Sequence, residues 1–391
     1  TRRFDSGGTA WRTVRLKENN MSNESAVNNP AIFADPLAVL GDMEAKWMNF
    51  GQGVTFDEGV GHLLSAHERD GGTITDIEVG DLREQAFGTM DKKHLVIGNP
   101  RTGQTFRLRR TAWAGLMDRM KVGQGGTDIL LRRLPPQLQE ANLNVMLKRM
   151  TEKVPAVLRV RGNDVLAIVS TRYAPIDTPE IVDIARDTLN QHGMLKAAMV
   201  RAVSWGGRDV IRVSFPEKDK AVQVRDIVSR GVDFRNGSWG GSAVSLVTST
   251  VRLVCLNGMT REEPGHTSFH FKHVGSREKI TARVRDALPQ ALSKGEEMIA
   301  RFESAINQEV QNIGRMFNFL GDALQVGEQE QVRQQLKEEL GVPVLNPRDG
   351  FSLFHAVNAM TAVARDLSPE RRLIVESSAG DLLYNGSRVA A

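Results

Sequence analysis

An α+β fold is predicted for this 391-residue chain, with a central antiparallel sheet covered by helices and a long C-terminal helix. Three observations predict it. Between Val157 and Leu256 short apolar-rich runs follow one another across glycine turns, as strands do. Ahead of them, helical spacing flanks a lone hairpin pattern. Behind them, from Ile280 to Leu340, the apolar period is helical throughout.

Residues 1–35 are polar and rich in asparagine, a composition expected to stay disordered. Within them, residues 1–20 read as a translated leader. Lys17-Glu18 can be encoded as a ribosome-binding sequence two codons ahead of Met21, where translation is expected to begin. Residues 36–153 form an N-terminal helical and hairpin region. Helical spacing occurs from Pro36 to Phe50 and from Glu58 to Arg69, and a hairpin pairs His94–Gly98 with Thr105–Arg109 across Asn99-Pro-Arg-Thr-Gly103. Thr111 is the expected cap of a helix with Trp113, Leu116, Met117 and Met120 on one face, and Pro135-Pro136 opens another.

Residues 154–275 are the β-rich core. Val157–Arg161 and Val165–Ser170 form a tight hairpin about Gly162-Asn-Asp164. Asp177-Thr-Pro-Glu180 is a helix start, with a cap and an early proline. Strands Leu195–Ser204 and Val210–Phe215 flank Gly206-Gly207. The polar turn Arg235-Asn-Gly-Ser-Trp-Gly-Gly-Ser242 then feeds a strand that ends in Val251-Arg-Leu-Val-Cys-Leu256. Residues 276–342 are the long helical segment. Its apolar face holds Ile299, Phe302, Ile306, Val310, Ile313, Phe317 and Leu320, and its polar face is rich in Glu and Gln. Such a helix spans the sheet or pairs with a copy of itself. Residues 343–391 follow Pro343 and Pro347 with helical patterns at Leu353–Arg365 and Pro369–Leu383.

Composition excludes several classes. Hydrophobic residues at 40% and charged residues at 25% belong to a globular protein with a substantial core. One cysteine forms no internal disulfide and fits a reducing cytoplasm. No apolar run is long enough to span a membrane. Net charge is +4, yet basicity is concentrated: Arg101, Arg107, Arg109, Arg110, Arg119, Lys121, Arg132 and Arg133 face only Asp118 and Asp128 between positions 101 and 133. Arginine far exceeds lysine, which suits planar, bidentate contacts to phosphate or carboxylate. Phosphate-loop, His-Glu-x-x-His, Gly-x-Ser-x-Gly and Cys-x-x-Cys motifs are all missing, so nucleotide hydrolysis is not expected and no cofactor is implied.

Several segments in order resemble a known family: Thr111-Ala-Trp-Ala-Gly-Leu, Leu134-Pro-Pro-Gln-Leu-Gln-Glu-Ala-Asn-Leu-Asn144, Ala167-Ile-Val-Ser-Thr-Arg-Tyr173 with Ile176-Asp177, Arg252-Leu-Val-Cys-Leu-Asn-Gly258, Lys272-His-Val-Gly275, Val357-Asn-Ala-Met-Thr-Ala362 and Glu376-Ser-Ser-Ala-Gly380. Together they look like the phage- and plasmid-associated domain-of-unknown-function family 932. The resemblance implies a protein of a mobile element without a settled activity, with a strand and helix layout loosely similar to phage single-strand annealing proteins. It places family positions on Arg172, Tyr173, Asp177, Arg252, Cys255, Asn257 and His273. Where many members carry His-Asp-Gly-Ser, this chain has Arg235-Asn-Gly-Ser238, which removes the imidazole and carboxylate of an acid–base site.

Three constellations compete. His266, His270 and His273 share one face only on a helix, and the alternation of Ser268-Phe-His-Phe-Lys272 is that of a strand, so they are weak metal candidates. Cys255 is a nucleophile candidate if Arg252 or His273 lowers its pKa, with Asn236 and Ser238 beside it; otherwise it is a small core residue. Arg107 and Arg109, like Arg159 and Arg161, lie two apart and project from one face of a strand. On a sheet face shared with Arg201, Arg212 and Arg252, and joined by Arg172 and Arg235, they would line a groove for a phosphate backbone, with Tyr173, Trp205 and Trp239 to stack bases. Alternatively they are a solvated face paired with Asp164, Asp177 and Asp209. The expected function is a non-enzymatic, DNA-associated protein of the bacterial host cytoplasm that binds or anneals single-stranded DNA as a homo-oligomer. The rivals are an enzyme acting on a small anionic or nucleotide substrate and an interaction protein working through its long helix.

Overall fold

The computed structural model describes residues 55–69, 73–91, 93–122, 127–215, 220–223, 226–252, 257–261, 267–346 and 349–386. The expectations for residues 1–35, for the helix at Pro36 to Phe50, for Cys255, for His266 and for the side chain of Arg252 lie outside it.

The fold is α+β, with its strands divided between two sheets and a small two-stranded ribbon. Helix α1 (Phe56–Arg69) precedes β1 (Thr75–Val79), β2 (Ala86–Met90), β3 (His94–Gly98) and β4 (Thr105–Leu108). Helices α2 (Arg110–Arg119), α3 (Thr127–Arg133) and α4 (Pro136–Arg149) lead to the hairpin β5 (Ala156–Arg161) and β6 (Asp164–Val169). These strands make a six-stranded sheet in the order β1-β5-β6-β4-β3-β2, antiparallel except where β4 runs parallel to β6. The hairpin at Gly162 therefore joins the N-terminal strands and not the sheet that follows it in sequence. Gly162 and Gly103, at φ +57° and +70°, make the left-handed turns that the two hairpins need. Thr111 is not the cap of α2: Arg109 occupies that position, and the Thr111 hydroxyl donates to the Leu166 carbonyl at 2.7 Å.

Helix α5 (Thr178–Gln191) starts at the expected capping box, Asp177 with Glu180. It leads into the second sheet: β7 (Met199–Trp205), β8 (Arg208–Ser214), β9 (Lys220–Gln223), β10 (Asp226–Gly237), β11 (Val244–Arg252), β12 (Asn257–Thr260) and β13 (Ser268–Phe271). Its order is β12-β11-β10-β8-β7, with β13 on β11 and β9 on β10, all antiparallel. Alternation assigns its faces. Val200, Ile211, Val213, Val232, Phe234 and Leu246 pack with α5 and the start of the next helix, while Arg201, Arg212 and Asp233 point the other way.

The helical period from Ile280 to Leu340 is broken into α6 (Arg277–Ser304), β14 (Glu309–Val310), α7 (Ile313–Leu320) and α8 (Val326–Leu340). Asn312 caps α7 by accepting from the Gly314 and Arg315 amides, Gly321 ends it at φ +52°, and Gln325 with Glu328 restarts the chain as α8. The apolar period continues through the breaks because Ile299, Phe302, Val310, Ile313, Phe317 and Leu320 all enter one core whatever their backbone does. That core is completed by β15 (Phe351–Ser352), paired to β14, and by α9 (Leu353–Arg365) and α10 (Pro369–Asn385). The long helix α6 crosses β10 and β11, where the Thr248 hydroxyl donates to the Ala291 carbonyl at 3.0 Å. None of the described helices is long and apolar enough to cross a membrane.

Helix α2 lies directly on the backbone of β6. A Cβ at Gly115 would fall 2.1 Å from the Ile168 carbonyl oxygen, so the helix must lift to admit one. Gly115→Ala is expected to cost about 1–3 kcal/mol by overpacking, read as a lower midpoint in urea unfolding with an unchanged slope.

Candidate nucleic-acid interface

The two sheets meet at Arg159, which is 1% exposed. A buried guanidinium is tolerated only when its donors are satisfied. Its Nε donates to Asp76 at 2.9 Å, its Nη2 to Asp177 at 2.7 Å, and its Nη1 to the Tyr173 hydroxyl at 3.2 Å and to the Ser238 carbonyl. The Tyr173 ring stacks on His273 at 4.9 Å between centroids. His273 Nδ1 donates to the Ala174 carbonyl at 3.1 Å, and burial, reinforced by the Arg159 charge, lowers the pKa of the ring. Burial likewise pushes the Tyr173 phenol up to about 12, against the pull of Arg159.

The stretch Arg235–Ser242, read from the sequence as a turn, closes this junction with its first three residues at the end of β10, where Arg235 pairs with Val210 and Asn236 with Asp209, and only the rest turning. Asn236 donates to the Ile176 carbonyl at 2.8 Å and the Ser238 hydroxyl to the Gly207 carbonyl at 3.0 Å. Trp239 lies flat on Gly207, where a Cβ would fall 2.2 Å from the indole, and Arg161 sits over the indole at 5.6 Å. Asn236, Ser238 and His273 thus come together as clamps between elements. They do not line up as a nucleophile with its base. His270 lies on β13 with its Nε2 3.1 Å from the Ser268 hydroxyl, and no three His, Cys, Asp or Glu side chains among the described residues could share a metal ion.

A second ionic cluster lies under α10. Arg212 makes two hydrogen bonds to Asp233, at 2.8 and 2.9 Å, and two to Glu376, at 3.1 and 2.7 Å. Asp233 also accepts from Arg235 at 3.0 Å, and Glu376 from Arg372 at 2.7 Å. Burial acts to raise the Asp233 carboxyl, but Arg212 and then Arg235 overcome it and hold the group at about 2. Glu376, in the same balance of burial against Arg212 and Arg372, is also lowered.

The arginines predicted to share one sheet face are divided between the two sheets, because the hairpin bearing Arg159 and Arg161 pairs with N-terminal strands. Arg159 and Arg212 are buried in ion clusters and present no fork to a phosphate. Arg107 and Arg109 both bind Asp164, at 2.5 and 2.6 Å. Arg172 is exposed at a separate cleft with Arg119, Lys121, Arg149 and Lys153.

A different basic track crosses the junction, built from clefts that share walls. One of about 560 Å3 is lined by Lys93, Arg109, Arg110, Arg132 and Arg133 with Trp113. A second of about 560 Å3 shares Arg110 and Arg132 and adds Arg208, Trp205 and Trp239, with Gly206, Gly207, Gly237 and Gly241. A third of about 430 Å3 shares Trp205 and Arg208 and adds Arg235, Asn236, Ser242 and His270. The last, of about 210 Å3, shares Trp205 and holds Arg201 and Arg372. Glu370, 3.4 Å from Arg208, is the carboxylate that the middle two clefts share, and Asp209 also lines the third. Of the track, Arg109, Arg201, Arg235, Trp205 and Trp239 were legible as candidates. Arg110, Arg132 and Arg133 lay in the dense basic stretch without being singled out, and Arg208 and Arg372 gave no sequence signal.

The ion cluster under α10 fixes a pH dependence. Asp233 sits at about 2 against an ordinary 3.8, so its contribution is complete above 3.8 and lost as pH falls towards 2. Arg212→Leu is expected to cost about 3–5 kcal/mol at neutral pH by removing the shared partner of two buried carboxylates and leaving each with one arginine. In that variant Asp233, held down by Arg235 alone, should protonate at a higher pH than in the parent, so the acid loss of stability seen by chemical denaturation should begin at higher pH.

No curated protein and no solved structure matches the chain. One family model does, over residues 165–343, which run from β6 to just beyond α8 and include Tyr173, Asp177, the Arg235–Ser242 stretch and His273. Over that stretch the chain carries the family domain described as Domain of unknown function (DUF932).

Proposed function

We propose that this protein is a DNA-associated protein of a phage or plasmid that holds single-stranded DNA along the basic track and acts in annealing or recombination. The observation that carries the reading is the run of shared clefts from Arg133 to Arg235, in which guanidiniums alternate with Trp205 and Trp239. Guanidinium forks bind successive phosphates without reading sequence, and indole faces stack on unpaired bases of any identity. Exposed cations suit this work better than paired ones. Arg110 and Arg133 are exposed and form no ion pair with a described carboxylate, while the Arg109 and Arg208 side chains remain 48% and 51% exposed despite their partners. Annealing brings two strands together, so a homo-oligomer in the host cytoplasm belongs to the same reading. An enzymatic reading draws less support, since the Asn236 amide nitrogen, the Ser238 hydroxyl and His273 Nδ1 each donate to a main-chain carbonyl.

Fluorescence anisotropy with a labelled single strand, titrated at several salt concentrations, tests the proposal. Affinity should fall steeply with salt, at about 0.7 in log–log slope per phosphate contacted. Arg133→Gln, an exposed change, should weaken binding and reduce the slope by about 0.7 without altering stability, and Trp205→Ala should cost about 1–3 kcal/mol of binding. An affinity insensitive to salt would reject the track.

A further inference from the structure

The cleft that holds Arg172, of about 560 Å3, lies apart from the track. Among its described lining residues Arg119, Lys121, Arg149, Lys153 and Arg172 face one carboxylate, Glu152. Lys121 donates to Glu152 at 3.1 Å in a pair that is weak because the two side chains are 78% and 77% exposed, and Arg119 is paired with Asp118 at 2.8 Å. Arg149, Lys153 and Arg172 are exposed and form no hydrogen bond or ion pair with a described residue. Helix dipoles favour cations in the last turns of α2 and α4, which accounts for Arg119 and Arg149. Lys153, between α4 and β5, and Arg172, after β6, have no such cause. Lys121 stands where the chain leaves α2 at φ +54°, a left-handed position that glycine usually fills, so its ammonium is kept on the cleft wall at some backbone strain.

This lining differs in kind from that of the track. Its cations are joined by Thr151, Ser170 and Thr171, and none of its described residues is aromatic, whereas the track carries Trp113, Trp205 and Trp239. Cations and hydroxyls are the groups that contact phosphate and sugar, and without an aromatic face nothing stacks on an unpaired base. Such a cleft suits a backbone whose bases are already paired with one another. Helix α2 joins the two sites, because its first residue, Arg110, lines the track and its last, Arg119, lines this cleft. Its 10 residues span about 15 Å, a length that about four base-pair steps of a duplex cover. We propose that this cleft binds the phosphate backbone of double-stranded DNA, as a second site that receives the annealed product beside the single-strand track. Its role as a product site rests on the single-strand reading. Duplex binding itself does not.

Fluorescence anisotropy with a short labelled duplex, added to the full chain alone and to the chain saturated with an unlabelled non-complementary single strand, tests the site. The duplex should bind in both cases, with a log–log salt slope of about 0.9 per phosphate contacted. Lys153→Gln and Arg172→Gln replace exposed cations without described partners, so each should keep the parent Tm while reducing the duplex slope by about 0.9 and weakening duplex binding several-fold. Arg172→Lys keeps the charge and should retain most of the affinity. Failure of the duplex to bind, displacement of the bound single strand by duplex mole for mole, or a duplex slope unaltered in both glutamine variants each overturns the proposal. Binding of anionic phospholipid vesicles through Lys153 and Arg172 without duplex binding would overturn it as well. Salt-sensitive binding of single strands without duplex binding would leave the track standing and this site refuted, and duplex binding through Lys153 and Arg172 without single-strand binding would do the reverse.

Discussion

One guanidinium holds the two sheets together. Arg159 collects Asp76 from β1, Tyr173 from the segment after β6, the cap residue Asp177 of α5 and the Ser238 carbonyl from the turn after β10. Four distant stretches of chain thus converge on a side chain that is 1% exposed. Removing a charge from water costs several kcal/mol, and it is recovered only when every partner is in place at once. The cluster therefore acts as a condition on the fold: either sheet docked in another way leaves a buried cation unsatisfied.

The same economy governs the rest of the charge. Arg212 repeats the arrangement beneath α10, tying β8 and β10 to the C-terminal helix through Asp233 and Glu376. Arg159 and Arg212, placed centrally on strands, become structural in this way, whereas arginines at strand and helix ends, such as Arg110, Arg133 and Arg208, remain at the surface. A chain of modest net charge, +4, consequently presents a local track far more basic than its average. The track crosses the sheet junction at the Gly206-Gly207 and Gly237–Gly241 turns, which line the cleft that holds Trp205 and Trp239.

The DUF932 stretch begins at β6 and so cuts through the first sheet, taking one strand of the β5–β6 hairpin and leaving its partner. Arg159 lies outside the matched residues while Tyr173, Asp177 and Ser238, which it joins, lie inside. The N-terminal strands are thereby coupled to the matched residues through the ladders of β6 and through the Arg159 ion cluster.

Local patterns alone determined much of the secondary structure: both glycine hairpins, the Asp177 capping box, the helix at Leu353–Arg365 and the β8 and β11 strands. These depend on neighbours within a few residues, where propensity and turn chemistry act. Tertiary structure decided how the strands were shared between sheets, because alternation says which face a residue takes and nothing about which strand lies beside it. It decided where the helical period between Ile280 and Leu340 was cut, since one core on one side keeps the period across breaks that Asn312 and Gly321 impose. Above all it decided which arginines were consumed in buried clusters and which were left to line a cleft, for a charge's role depends on carboxylates more than a hundred residues away, as Glu376 is from Arg212.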